Sequence, residues 1–333
     1  MAKRLAIVER LPGHSEVMGG FAAMALELGY DTHLLFNSRD RYHLMEYFQS
    51  RIPLPPEKIH DWNYVTDASA NFDVIVLTTA NVWLDYGYWL KQWSANQRLI
   101  VVHHNPEDLE MNPYGASLYL TPWAGLEKWI FPLYSKPRDR VEFDPEAASL
   151  SDVAGDVAGT ELPTLITVGT FEGNDIAGAF AYMRAGGKLV HHDRHPCHHF
   201  PGEGQYTQHV GLDGTQFMTS LAQQKRPFFL WLPIVPESDY MVCRFTAALI
   251  PGIDMNCIMV MPEKLRARYG FPKHGVITYE TSVTEAECLK GLCGSRSTQQ
   301  ERRKQSLAWA SEQWNKNMAV FREVLGSGAG PTY

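Results

Sequence analysis

Residues 5–36 read LAIVERLPGHSEVMGGFAAMALELGYDTHLLF, and the order of patterns in this stretch decides the fold class. Leu5 to Val8 is a short continuous apolar run, as expected of a strand buried on both faces. Ser15 is placed to cap a helix. Val17, Phe21, Met24 and Leu28 then recur at helical spacing on one face. Gly29 ends that helix, and Asp31 to Phe36 returns to a strand. A buried strand, a loop, a helix and a second buried strand open a doubly wound α/β unit.

Working outward, Phe72 to Thr79 and Arg98 to His104 are two more apolar runs without alternation. Residues 141–161 (VEFDPEAASLSDVAGDVAGTE) are small and acidic without periodicity and read as a link. The pattern then restarts. Strands are expected at Leu165–Val168, Lys188–His192, Phe228–Leu232, Cys257–Met261 and Gly275–Tyr279. Helices are expected at Ile176–Arg184, Thr215–Gln223 and Tyr240–Ile250. Leu307, Ala310, Trp314, Met318, Phe321 and Leu325 mark one long amphipathic helix, with Gly326 as its stop. The expected organisation is an N-terminal α/β domain over 1–145, a linker over 146–161 and a second α/β domain over 162–300. A C-terminal helix over 301–333 would brace the junction.

Composition limits the function. The chain has 333 residues, 45% hydrophobic and 20% charged, ordinary for a globular protein of two domains. Lys and Arg total 30 against 37 Asp and Glu, a formal net charge of −7, which disfavours non-specific nucleic-acid binding. The only dense basic run, Arg302-Arg303-Lys304, reads as a solvated helix face. No stretch reaches the roughly 18 apolar residues of a membrane span, and the first apolar run is too short for a signal peptide. Five widely spaced cysteines fit reduced thiols. A cytoplasmic location is expected.

The loop Pro12-Gly13-His14 lies at the carboxyl end of the first strand, where open α/β sheets bind ligands. It contains neither G-x-G-x-x-G nor G-K-[ST], so it is neither a dinucleotide fingerprint nor a P-loop. The strand, Pro-Gly-His loop, helix and Leu-Gly-Tyr-led strand resemble the opening of two-domain glycosyltransferases of the GT-B fold. That resemblance implies two Rossmann-like domains facing across a cleft. It also implies that His14 is the general base that deprotonates an acceptor hydroxyl. An imidazole titrating near neutrality suits that task, with Asp85, Glu107 or Asp108 as orienting carboxylates. The competing reading is a histidine that merely hydrogen-bonds within its turn.

His103-His104-Asn-Pro-Glu-Asp108 follows the strand at 98–104. In the resembled fold this loop supplies acceptor contacts, and in phage DNA glucosyltransferases a carboxylate there is the base. Asp108 and His104 are therefore the next candidates, against a plain strand-end turn. On the donor side the resemblance points to Gly169, Thr170 and Asn174 in the loop after the first strand of the second domain. Glu172 stands there where many relatives carry a cation. It also points to Glu237, Ser238, Asp239 and Arg244. Glu237 would accept from ribose hydroxyls, Ser238 or Asp239 would cap a helix, and Arg244 would neutralise a diphosphate unless it only forms a surface ion pair. Eight residues past Glu237 stands Phe245, so the second glutamate of retaining relatives is missing, which favours inversion.

His191 to His199 concentrates five histidines and Cys197 without standard zinc spacing, so no metal is expected, nor any cofactor beyond a nucleotide-sugar co-substrate. Cys288 and Cys293 likewise fit packing. Trp83, Tyr86, Tyr88, Trp89, Trp93 and Trp123 divide between core and an acceptor cleft in a way that the sequence leaves open. The expected activity is inverting, metal-independent transfer of a sugar from a nucleotide-sugar to a glycan or other hydroxyl acceptor. A sugar-nucleotide epimerase, a DNA-modifying glycosyltransferase and a two-lobed ligand-binding protein are the alternatives.

Overall fold

The computed structural model describes residues 2–11, 15–37, 52–79, 87–104, 115–122, 128–133, 162–168, 176–193, 206–210, 216, 229–234, 248–254, 256–280, 286–292, 294 and 296–326. These build two compact units on two six-stranded sheets. The first sheet comprises β1 (Arg4–Glu9), β2 (Asp31–Phe36), β3 (Ile59–Asp61), β4 (Val74–Leu77), β5 (Arg98–His103) and β6 (Ala116–Tyr119). Every pairing in it is parallel and the order is β3-β2-β1-β4-β5-β6. The second comprises β7 (Thr164–Val168), β8 (Lys188–Asp193), β9 (Tyr206–Val210), β10 (Phe229–Trp231), β11 (Ile258–Pro262) and β12 (Ile277–Tyr279). It is also all parallel, in the order β12-β11-β10-β7-β8-β9. Counted from its own first strand, each sheet therefore has the same doubly wound order.

Continuous apolar runs become interior strands because both faces are covered. All four residues of β4 and all five of β11 are buried. In the first unit Ala6, Val8, Leu35, Ile75, Leu77 and Val101 share one core with Trp93. In the second, Leu165, Leu189, Trp231, Val260 and Tyr182 do the same. The helix α1 (Ser15–Glu27) follows β1 and ends where Gly29 takes φ 79°, a left-handed conformation that L side chains resist. Gly29 and Tyr30 donate their N–H groups to Leu26 and Ala25, closing the last turn before β2. The remaining helices are α2 (Tyr64–Ala68), α3 (Gly87–Asn96), α4 (Ile176–Arg184), α5 (Leu249–Asp254), α6 (Glu263–Tyr269), α7 (Ala286–Leu292) and α8 (Arg296–Gly326).

The helix α8 is longer than its apolar periodicity suggests, and it belongs to the second unit up to Ser311 and to the first from Glu312. Its first half adds polar contacts to the stacking of Trp309 on Phe271. Arg302 donates to the Val276 carbonyl at 3.0 Å, Arg303 to that of Asn256 at 3.2 Å and Ser306 to that of Gly275 at 2.7 Å. The basic run is thus not a solvated face throughout, because both guanidinium groups cap backbone carbonyls. In the second half Phe321 packs edge-on against Phe21, and buried Asn317 pairs with both backbone polar groups of Phe131. Arg98 closes the end by donating twice to the Val324 carbonyl.

Two expected helices fare differently. That at 215–223 lies outside the described residues, apart from residue 216. Within 240–250 the described part begins at Ala248, and α5 runs through Pro251 and Gly252, which the sequence placed behind the helix. Proline is tolerated in a first turn, where its missing N–H has no intrahelical partner. A Cβ at Gly252 would lie 2.5 Å from Leu230 Cδ2, so α5 packs closely on β10 there. No helix among the described residues is long and apolar enough to cross a membrane.

Candidate active site

In the first sheet the chain leaves β1 for β2 on one side and later returns to β4 on the other, so the topological switch lies between β1 and β4. Ligands of open α/β sheets bind at the carboxyl ends of strands at such a switch. Glu9 is the last residue of β1, Thr78 and Thr79 directly follow β4, His103 ends β5 and His104 follows it. In-register pairing of Ile7 with Val76, together with the alternation of side chains, puts Glu9 and Thr78 on one face.

Glu9 is fully buried. Its carboxylate accepts from Thr78 Oγ1 at 2.7 Å, Thr79 Oγ1 at 2.6 Å and the Leu11 N–H at 2.7 Å. The Arg10 N–H also donates to it. Burial raises its pKa above the usual carboxylate value, and these donors pull back against that rise without cancelling it. Thr78 Oγ1 also lies 3.0 Å from the Val8 carbonyl. His104 completes the cluster, with Nε2 2.8 Å from the Thr78 carbonyl and 3.4 Å from Thr79 Oγ1. His103 is buried beside it, 3.1 Å from Ser117 Oγ and stacked on Tyr119.

The same edge carries Arg10 over the Trp62 ring, 5.4 Å from its centroid, with Asn37 donating to the Arg10 carbonyl. Of the aromatic residues left open by sequence, Trp93 is core, Trp89 is half-buried and Tyr88 is 75% exposed at the start of α3. Trp83, Tyr86 and Trp123 lie outside the described residues.

Among the site residues expected from sequence, His104 is the one described. His14, Asp108, Gly169, Thr170, Asn174, Glu237, Ser238, Asp239 and Arg244 lie outside the described residues, as do Asp85, Glu107 and Glu172. Glu9, Thr78 and Thr79 escaped the sequence reading. Their signal was present: a carboxylate ends the apolar run LAIV, and two hydroxyls end the run VIVL.

In the second unit His191 Nδ1 lies 2.7 Å from Thr167 Oγ1 and Nε2 lies 3.4 Å from Asp193 Oδ2, all buried at the carboxyl ends of β7 and β8. His192 stacks on His209, and burial, with the neighbouring histidines, pushes its pKa down to about 3. These two members of the histidine-rich stretch are built into the sheet. Among the described residues, no group of three His, Cys, Asp or Glu side chains is placed to hold a metal ion.

No family model and no curated protein sequence matches the chain. Solved structures do. A glycosyltransferase from Rickettsia africae superposes with a TM-score of 0.56 at 12% identity, covering 98% of this chain and 99% of that one. The catalytic domain of starch synthase IV from Arabidopsis thaliana, bound to ADP and acarbose, superposes with a TM-score of 0.53 at 8% identity, covering 97% and 100%. The chain has the GT-B fold. The two parallel sheets and the C-terminal helix are those the sequence led us to expect, and the GT-B likeness extends over nearly the whole chain. Within that fold the Glu9–Thr79–His104 cluster lies at the switch point of the N-terminal sheet.

Proposed function

We propose that the protein transfers a sugar from a nucleotide-sugar to an acceptor hydroxyl. The observation that carries this reading is the full-length likeness to a glycosyltransferase and to the catalytic domain of a starch synthase bound to ADP and acarbose. A histidine-bearing polar cluster at the carboxyl edge of the first sheet supports it, because an acceptor hydroxyl needs a base there.

The acceptor lies against the first unit, with His14, Asp108 or His104 receiving its proton. The donor lies on the second unit, its diphosphate near Gly169, Thr170 and Asn174, its ribose near Glu237, and Ser238 or Asp239 capping a helix. Arg244 and backbone N–H groups take the charge of the leaving diphosphate, so no metal is required. Direct displacement inverts the anomeric carbon. The acceptor is a glycan or another hydroxyl compound, and the reaction runs in the cytoplasm.

Thermal denaturation with a panel of nucleotides and nucleotide-sugars, each with and without EDTA, tests this assignment. A ligand at 100 times its Kd adds about 2.7 kcal/mol, a rise of several degrees. One nucleotide-sugar that stabilises the protein in EDTA is the expected result. Stabilisation lost in EDTA overturns the metal-free donor site, and no response to any of them overturns the donor site altogether.

A further inference from the structure

We infer that Tyr88 is a stacking platform for a sugar ring of the acceptor, which makes the acceptor a carbohydrate. This rests on the transferase reading above and narrows its acceptor to one class.

The topology fixes the edge on which Tyr88 stands. The helix α3 joins the parallel strands β4 and β5. At its end Gln97 donates to the Trp93 carbonyl, and Arg98, the first residue of β5, donates to that of Asp73, which precedes β4. The last turn of α3 therefore lies at the amino edge of the first sheet and its first turn at the carboxyl edge. Tyr88 is the second residue of the helix. Its ring stands on the same edge as Glu9, Thr79 and His104, where open α/β sheets bind ligands.

The ring is exposed and yet braced. Among the described residues the exposed large apolar side chains are Tyr64, Tyr88 and Val210. Tyr64 has one ring face covered by His60, with centroids 4.3 Å apart, and Val210 has no ring. Tyr88 is 75% exposed. Trp89 meets it edge-to-face at 5.5 Å and 76°, and Trp89 lies 6.0 Å from Trp93, which is fully buried in the core. Three rings thus lead from the core of the first unit to water. Single exposed apolar side chains are ordinary, but one braced by packed indoles loses little freedom when a ligand covers it.

The ring's neighbours are polar. Residues three and four further along a helix share its face, and their side chains lean back towards the N-terminus. For Tyr88 these are Lys91 and Gln92, both exposed. An ammonium and an amide supply donors and an acceptor next to an aromatic face. A pyranose ring matches this set, with C–H groups as its apolar face and hydroxyls as its polar rim. An apolar aglycone would gain nothing from the amide and the ammonium. Stacked bases of a nucleic acid need a cation surplus that a chain of net charge −7 lacks.

The test screens the full chain on an array of immobilised oligosaccharides and then titrates the bound oligosaccharide in solution. Wild type, Tyr88→Ala and Tyr88→Phe are compared, with 2-naphthol as an aryl alcohol probe. The side chain is exposed, so both variants fold, and matching thermal midpoints check this. The expected result is an oligosaccharide whose binding weakens about tenfold or more in Tyr88→Ala and less than about threefold in Tyr88→Phe, since the ring makes the contact. Stabilisation by a nucleotide-sugar should be the same in all three proteins. Failure to bind any oligosaccharide, binding that Tyr88→Ala leaves unchanged, or binding of 2-naphthol alone overturns the inference. Stabilisation by a nucleotide-sugar without oligosaccharide binding overturns the platform and leaves a transferase with a non-carbohydrate acceptor. Oligosaccharide binding lost in Tyr88→Ala, in a protein that no nucleotide-sugar stabilises, overturns the transferase reading and leaves the platform standing.

Discussion

Thr79 Oγ1 and Glu9 Oε2 are 2.6 Å apart across the switch point of the first sheet, and both residues are buried. Removing a carboxylate from water is costly, yet four donors converge on this one. Buried polar groups of this kind lower stability in return for function.

That cost has a sign. Burial raises the native pKa of Glu9 above its unfolded value of 4.5. The native state then holds the proton more tightly, so this group's contribution to stability is full below about pH 4.5 and is lost as pH rises through the native pKa. Urea unfolding between pH 4 and 7 should show the wild type losing stability relative to Glu9→Gln as pH rises. A constant difference would remove the raised pKa.

His33 and His60 give the opposite trend. Their rings stack, with His33 Nδ1 3.2 Å from His60 Nε2, and Arg4 lies 3.3 Å from His33 Nε2. Burial is the first cause that lowers both pKa values, and the Arg4 charge adds to it for each. The unfolded chain therefore takes up protons first as pH falls below 6.5, and stability is lost in that direction. His60→Gln should flatten the acid side of the stability profile below pH 6.5, and an unchanged slope there would refute the pair's role.

Asn317 closes both backbone polar groups of Phe131 and accepts from Gln313 at 2.8 Å. Asn317→Ala orphans a buried N–H and a buried carbonyl, each costing about 1–3 kcal/mol. Denaturant unfolding should show a loss of about 3 kcal/mol. A loss below about 0.5 kcal/mol would mean that water replaces the side chain freely.

Gly20 lies within α1, where glycine is otherwise unfavourable. A Cβ there would stand 2.5 Å from the Pro132 Cα and carbonyl carbon. Gly20→Ala should therefore destabilise by about 1–3 kcal/mol despite its better helix propensity. A stabilised variant would show that the two backbones separate easily.

The sheets were legible because buried parallel strands announce themselves as apolar runs, and β1, β2, β5, β7 and β8 fall where the sequence placed them within a residue or two. Short edge strands escaped. In β3 (IHD) and β9 (YTQHV) half-exposed polar residues remove the run, and only pairing with β2 and β8 makes them strands. The start of α8 before residue 301 escaped for a related reason, since Gln299 binds backbone carbonyls and no apolar period reaches it. At the site, His104 was legible as a strand-end histidine. Glu9 was not, because a carboxylate after an apolar run reads as a solvated strand end until the two threonines that follow β4 are brought beside it.

If His104 is the base, His104→Ala should lower kcat by about 10²-fold or more with little change in donor affinity. Equal loss of donor binding and turnover would make the histidine structural.

The most direct measurement is nucleoside diphosphate formation from the nucleotide-sugar that stabilises the protein, followed with and without acceptor glycans in EDTA. Sugar transfer predicts diphosphate released in step with a glycosylated acceptor of inverted anomeric configuration. A donor that stays intact, or one converted at the same rate without any acceptor, would contradict it.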